Sequence, residues 1–318
     1  MNILIAGASG FIGTELVNAL KTANKITVLG RNDKILQKKF SKDVEILTWQ
    51  NLHQSDATHY DTIINLCGHN IAASRWTRKT KEKLITSRVN SNQELIRWLT
   101  HYGAKPHFIC ASAVGIYGLQ KNGELKQFDE NSRIDKNSPH DFPSEIGIRW
   151  EESLAPALSQ GMPVTMLRLG VVLKRGQGFL QKLSPSFQCG MGAILGDGQQ
   201  MISWVHIKDV IGAVLFLLSR PHLTGPFNIT SPHPVSQKEF AQLLANILHR
   251  PLLLRIPSIL IVALFGEMGE SLLLQGQSVI PKRLIEEGYQ FFYPHCIDAL
   301  KREFQKSGQS VELFKNGE

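Results

Sequence analysis

The sequence predicts an α/β protein: a Rossmann-type, doubly wound parallel sheet with a smaller, mostly helical C-terminal region that caps its substrate side. Three observations predict it. Short apolar runs alternate with helix-period segments through the first half of the chain, the pattern of strands buried on both faces of a parallel sheet. The first run, NILIA, leads straight into the glycine-spaced stretch GASGFIG at 7–13. The last quarter of the chain loses the alternation and becomes proline-interrupted and helical, as expected of a separate cap.

The elements follow in order. NILIAG (2–7) reads as a strand and GTELVNALKT (13–22) as a helix with apolar residues at helical spacing. KITVLGR (25–31) is a second strand, rich in β-branched residues; EILTW (45–49) is a third and DTIINLCG (61–68) a fourth. SNQELIRWLTHY (91–102) is amphipathic, and PHFICASAVG (106–115) is a near-continuous apolar run. VTMLRLGVVL (164–173) is another buried strand, IKDVIGAVLFLLSR (207–220) a helix and GPFNIT (225–230) a further strand. SQKEFAQLLANILH (236–249) opens on a capping box, Ser236 to Glu239. These readings place a nucleotide-binding domain at 1–170, completed by 205–232, with 171–204 and 233–318 as the capping region.

The chain has 318 residues, 42% hydrophobic and 19% charged, which is ordinary for a folded enzyme and argues against disorder. Four scattered cysteines, Cys67, Cys110, Cys189 and Cys296, form no Cys-x-x-Cys pair; that usage suits a reducing, cytoplasmic setting and gives no metal signature. No secretory signal is visible at the N-terminus. The most apolar stretch, IPSILIVALF (256–265), is about half the length a bilayer requires, so a buried helix is expected there and no membrane partner. A net charge of +8 attracts anions, but no nucleic-acid motif accompanies it. A small molecule is therefore the expected partner, and apolar helices that could pair two copies leave a homodimer open.

Strand, turn and helix occur in the order a dinucleotide site needs. Gly7 permits the tight turn, Gly10 lets backbone approach a pyrophosphate, and Gly13 lets the helix pack closely on the strand. The second strand ends at Leu29–Gly30–Arg31–Asn32. A carboxylate at this place would bind the ribose 2′-hydroxyl of NAD. Arg31 instead offers a planar cation suited to a 2′-phosphate, so the expected cofactor is NADP(H).

On these residues the chain resembles the extended short-chain dehydrogenase/reductase superfamily. GASGFIG looks like its cofactor turn, which brings Ser9, Phe11 and Ile12 to the cofactor along with the three glycines. NLCG (65–68) looks like its fourth-strand motif and brings Leu66, Cys67 and Gly68; SAVGIYG (112–118) stands where that superfamily has a catalytic serine and a Tyr-Gly pair. More narrowly, NIAASRWTRKTKEKLITSRVNS (70–91), LRLGVVL (167–173), GDGQQMISWVHIKD (196–209), GPFNITSPHPVSQKEF (225–240), FGEM (265–268) and LIEEGYQFFYP (284–294) resemble its atypical "39U" epimerase branch. Some members of that branch carry an old cell-division-inhibitor label. The resemblance runs end to end. It implies a Rossmann fold with NADP(H) and a substrate left undefined.

The wider superfamily moves protons with Tyr-x-x-x-Lys on a helix, the lysine lowering the phenol's pKa. The corresponding segment here, HDFPSEIGIRWEESLAP (140–156), has neither residue. Aligned on Glu151, Pro143 and Gly147 stand in their places. Tyr117 and Lys121 share the spacing, but on a loop, where it defines no common face. Catalysis therefore falls to Ser112, Tyr117 or Glu145 as candidates, expected to share one cleft. Glu145 is also readable as a solvated first-turn acid favoured by the helix dipole. Arg88, in SRVNS, is expected at the cofactor cleft. Arg168, on a buried-looking strand, needs a carboxylate or an anion, and His206 reads as structural. Two functions remain: an NADP(H)-dependent epimerase or oxidoreductase acting on a small polar molecule, of sugar or nucleotide type among the candidates, without the usual dyad; or an inactive NADP(H)-binding sensor or regulatory protein.

Overall fold

The structure, a computed structural model, describes residues 1–120, 123–124 and 126–305. The first half of the chain winds as the apolar pattern requires. β1 (Asn2–Ala6) runs buried into the glycine turn and α1 (Phe11–Leu20) returns along the sheet, followed by β2 (Lys25–Gly30), α2 (Asp33–Lys39), β3 (Glu45–Thr48) and β4 (Thr62–Asn65). The second half-sheet adds α3 (Arg78–His101), β5 (His107–Ala113), α4 (Phe142–Glu152), α5 (Ala155–Ser159) and β6 (Val164–Leu169).

The chain then leaves the sheet for β7 (Val171–Leu173), α6 (Gly178–Gln188), β8 (Ala193–Leu195), β9 (Met201–Ile202) and β10 (Trp204–His206). It returns through α7 (Ile207–Leu218) to β11 (Gly225–Ile229). What remains is β12 (Val235–Ser236), α8 (Gln237–Ile247), β13 (Leu254–Ile256), α9 (Ser258–Phe265), α10 (Glu267–Gly269), α11 (Lys282–Glu286) and α12 (Cys296–Phe304).

Seven strands form one parallel sheet in the order β3-β2-β1-β4-β5-β6-β11. The order reverses between β1 and β4. In an open parallel sheet the crevice outside the strand ends at such a switch point is where ligands bind. One core packs α1 and α7 on one face, with Leu16, Val17, Val210 and Val214 against Ile3, Ile5 and Val28. The other packs α3 and α4, with Leu95, Trp98 and Trp150 against Leu4, Ile63 and Phe108. A third core joins α6, α8 and α12 beside the sheet, around Trp204, Phe187 and Phe240. Among the described residues no helix is long and apolar enough to cross a membrane.

Three elements differ from the sequence expectation. α3 begins at Arg78, well before residue 91; Thr77 caps it, its side chain accepting from Thr80 N, and Leu84 is its first buried anchor. The segment 164–173 is two strands, because beyond Gly170 the chain turns to β10 and Val171 N donates to Ser203 O at 2.7 Å. Of the stretch 256–265, expected as a buried helix, Ile256 ends β13 and Ser258–Phe265 forms α9, which buries only Ile261.

Candidate cofactor-binding site

A cavity of about 630 Å3 opens at the switch point. Its floor is the turn after β1. Gly7 adopts φ +76°, and a Cβ on it would stand 2.8 Å from the Leu66 carbonyl carbon, so only glycine fits. Gly13 is packed as closely, since a Cβ there would stand 2.5 Å from Gly7 O. Those approaches draw the N-terminus of α1 and the loop after β4 against the turn. The cavity wall takes Gly7, Ser9 and Gly10 from the turn, Arg31 from the end of β2, and Leu66, Cys67 and Gly68 from beyond β4. Phe11 and Ile12 instead pack partly buried against the α1-side core, and Gly13 is buried in α1. These three shape the turn without lining the cavity.

Asn65 fixes the loop after β4. Its side-chain oxygen accepts from Cys67 N at 3.0 Å and its amide donates to Ser91 Oγ and Asn92 Oδ1 on α3. Burial pushes the Cys67 thiol up to about 12, so it stays protonated and unreactive at neutral pH. Arg31 is exposed at the cavity rim. The neighbouring carboxylate, Asp33, accepts from Lys34 N at 2.8 Å, and Asn32 caps α2. Lys39 reaches back from the end of α2 to Ser9 O at 2.6 Å. Two cations thus flank the β2 end of the cleft.

Arg88 lies directly behind Gly68, whose added Cβ would meet its guanidinium carbon at 3.2 Å. It is nine-tenths buried. Nη1 donates to Leu84 O and the guanidinium stacks over Trp150, yet Nε has no partner. Burial lowers its pKa to about 10. Arg88 is not among the residues that line the cavity; it is a buried cation with no carboxylate partner, which is costly unless an anion comes close.

Sequence reasoning missed the α3 wall of the cavity: Lys83, Ser87, Asn90, Ser91 and Glu94. Their i, i+4 spacing along one helix face was the available signal. Trp49, one residue past β3, and His69, after the glycine of NLCG, also line it.

The structure divides the three catalytic candidates. Ser112 Oγ donates to Glu151 Oε1 at 2.7 Å. Glu151 grips Arg168 through both carboxylate oxygens, from Nε and Nη2, at 2.8 Å each. Arg168 Nη1 donates to the Tyr117 hydroxyl, which donates to Asn228 Oδ1, both at 2.8 Å. Arg168 thus finds the carboxylate its burial demands. Burial opposes its charge, but Glu151 holds its pKa above the ordinary value. Tyr117 is buried with its ring stacked on Phe128; burial pushes its phenol up to about 12 although Arg168 pulls the other way. Lys121 lies outside the described residues. Glu145 joins neither: it pairs with Arg149 at 2.9 Å and lines a second cavity, of about 790 Å3, with Trp76, Lys81, Phe142 and Glu267.

α4 explains the vacant dyad positions. Asp141 and Ser144 form a capping box and Pro143 occupies the first turn, where a missing N–H does no harm. Pro143 rests on Gly115, and a Cβ on Gly147 would stand 2.6 Å from Ile116 Cβ. The helix therefore seats directly on the turn Val114–Tyr117, where a longer side chain at 147 has no room. His206 is structural, accepting from Lys208 N to cap α7 and bonding Glu303 at 2.8 Å. Among the described residues no group of three or more His, Cys, Asp or Glu is placed to hold a metal ion.

Comparison with known proteins agrees with this geometry. Residues 3–231 match the NAD dependent epimerase/dehydratase family, and residues 256–303 match a domain of unknown function, DUF1731. The chain is 35% identical over 302 residues to the epimerase family protein Mb2239 of Mycobacterium bovis, covering 94% of this chain and 96% of that protein. It is 34% identical over 316 residues to the chloroplastic epimerase family protein SDR39U1 homolog of Arabidopsis thaliana, covering 96% and 87%. Among solved structures, human epimerase family protein SDR39U1 with NADPH superposes with a TM-score of 0.83 at 29% identity, covering 96% of this chain and all of that one.

Proposed function

Because the chain belongs to the NAD-dependent epimerase/dehydratase family, and to its 39U-type branch, we propose that it is an NADP(H)-binding, epimerase- or reductase-like protein acting on a small polar, sugar- or nucleotide-like molecule. The observation that carries the choice of cofactor is Arg31, at the cavity rim with the nearby Asp33 carboxylate accepting from Lys34 N. An unobstructed guanidinium favours a 2′-phosphate, whereas NAD sites place a carboxylate here. The human relative's structure with NADPH supports the same choice. In this reading Gly7, Ser9 and Gly10 cradle the pyrophosphate with the α1 N-terminus behind them. Leu66, Cys67 and Gly68 form the facing wall, and Arg88 offers its free Nε through that wall. The cofactor would supply hydride-transfer chemistry there, and the cavity residues would hold it. The C-terminal helices cap the substrate side.

Proton transfer then rests on Ser112 or Tyr117 rather than on a Tyr/Lys pair, Glu145 lying in the other cavity. A second reading, a cofactor-binding sensor without catalysis, is favoured by one observation: the Ser112 and Tyr117 protons are already engaged by Glu151 and Asn228.

Fluorescence titration with NADPH and NADH tests the cofactor reading. Wild type binds NADPH more tightly. Arg31→Ala weakens NADPH by about 10–100-fold, the worth of a charge-assisted contact, and leaves NADH within about twofold. Equal loss for both, or unchanged NADPH affinity, removes Arg31 from this role. Single-turnover mixing with NADPH and a carbonyl panel separates the two readings: tight binding with no cofactor oxidation across the panel favours the sensor.

A further inference from the structure

Beyond Arg31 the cavity is closed by Trp49, one residue past β3, and by the face of α3 from Lys83 to Glu94. Trp49 packs with Leu66 and Cys67 on the α3 side of the sheet. Two bonds tie α3 to the segment that follows Trp49. His53 Nε2 meets Glu94 Oε1 at 2.6 Å, and Trp98 Nε1 donates to Ser55 O at 2.8 Å. An aromatic ring and the apolar side chains of Leu29 and Leu66 therefore share this end of the cavity with one helix face, at a fixed spacing.

Most polar side chains on that helix face are already engaged. Ser87 Oγ donates to Leu84 O and accepts from His69 N. Ser91 Oγ donates to Arg88 O and accepts from Asn65 Nδ2. Glu94 binds His53 with one oxygen and Arg97 with the other, at 3.1 Å. Lys83 can only donate. Asn90 differs: it is exposed at the cavity, and its side chain bonds no described residue. Its amide carries an acceptor and a donor side by side, the pair that reads adenine at N6 and a neighbouring ring nitrogen. The topology says which group arrives here. The sheet runs β1-β2-β3 on this side of the switch point. A dinucleotide with its pyrophosphate at the β1 turn and its ribose at the β2 end carries its base on towards β3 and Trp49.

We propose that this end of the cavity selects the base of the cofactor: Trp49 stacks on an adenine face and the Asn90 amide takes the N6 edge. The two contacts do different things. Stacking on an aromatic ring favours any flat base, whereas a donor–acceptor pair rejects a base whose edge is blocked. The proposal rests on the reading of the cavity as an NADP(H) site and adds a second selection to it. Arg31 selects by the 2′-phosphate, and Asn90 selects by the base.

Equilibrium titration of the full chain with NADP+ and with its 1,N6-etheno derivative tests it. The etheno bridge closes N1 and N6 and leaves the riboses, phosphates and nicotinamide unchanged. Wild type binds the etheno form about tenfold more weakly than NADP+. Asn90→Ala binds NADP+ about tenfold more weakly than wild type does, as expected for the loss of a paired amide contact, and no longer separates the two ligands. Trp49→Ala weakens both ligands alike, by about tenfold. Trp49→Phe keeps a ring and holds both near wild-type affinity, which covers the case of a misfolded alanine variant. A wild type that binds the two ligands within about twofold overturns the proposal. So does an Asn90→Ala variant with the wild-type ratio, because pocket shape alone would then select the base. Either failure leaves the Arg31 reading standing where Arg31→Ala still loses NADP+. A wild type that binds neither ligand overturns both.

Discussion

Substituting Gly147 by alanine adds one methyl group where α4 seats on the turn Val114–Tyr117. The new Cβ would stand 2.6 Å from Ile116 Cβ and 2.8 Å from Ile116 Cα. Neither atom moves with a rotamer change, so the helix or the turn must shift. Overpacking of this kind costs about 1–3 kcal/mol, and a clash with immovable atoms falls at the upper end. Alanine returns up to about 1 kcal/mol of helix propensity. The net is a destabilisation of about 2 kcal/mol, or about 3 °C in Tm for a protein of this size. Thermal unfolding followed by circular dichroism reads it. In an Ile116→Gly background, which removes the obstructing Cβ, the same substitution costs less, so the two couple in a double-mutant cycle. Gly147→Lys, which restores half of the usual dyad, loses more than alanine does. A Tm for Gly147→Ala equal to or above that of wild type refutes the reasoning, because α4 would then have room for a lysine that the chain merely lacks.

Glu151→Gln keeps the shape of the network but leaves the buried Arg168 without a counter-charge; a loss of about 3–5 kcal/mol is expected, read as a lower urea midpoint at unchanged slope. His107 is buried with Nδ1 unpartnered, and burial lowers its pKa to about 4. Its unfolded value is about 6.5, so the unfolded chain takes up the proton first as pH falls. The stability it contributes is complete above pH ~6.5 and is lost towards pH ~4, by at most about 3 kcal/mol. Urea midpoints across that range fall more steeply for wild type than for His107→Gln; parallel profiles would contradict the assignment.

The parallel sheet was legible because its strands are buried on both faces and read as unbroken apolar runs. GASGFIG was legible because the close approaches at Gly7 and Gly13 admit no side chain. Arg168's need for a carboxylate was readable from an arginine on a buried strand, and Glu151 supplies it. Other features depend on what the chain meets in space. The first quarter of α3, RKTKEK, has no apolar period because that part of the helix is solvated, and the cavity is lined by the helix face that runs on from Lys83 to Glu94. Residues 164–173 read as one strand because nothing local marks β10 as the later partner of β7. The apolar run at 256–265 announced burial but not by what, and α9 is left standing out from its own chain. The sequence places Ser112, Tyr117 and Glu145 in one cleft because side-chain direction is not in the order of residues. Packing turns the first two towards Glu151 and Arg168, and Glu145 to Arg149 on another face of α4.

The structure of this chain crystallised with NADPH tests the central claim most directly. The pyrophosphate is expected over Gly7–Gly10, the 2′-phosphate within hydrogen-bond distance of the Arg31 guanidinium, and Arg88 Nε engaged by the cofactor or an ordered water beside Gly68. A dinucleotide bound elsewhere, or one whose 2′-phosphate turns away from Arg31 into solvent, would contradict the account.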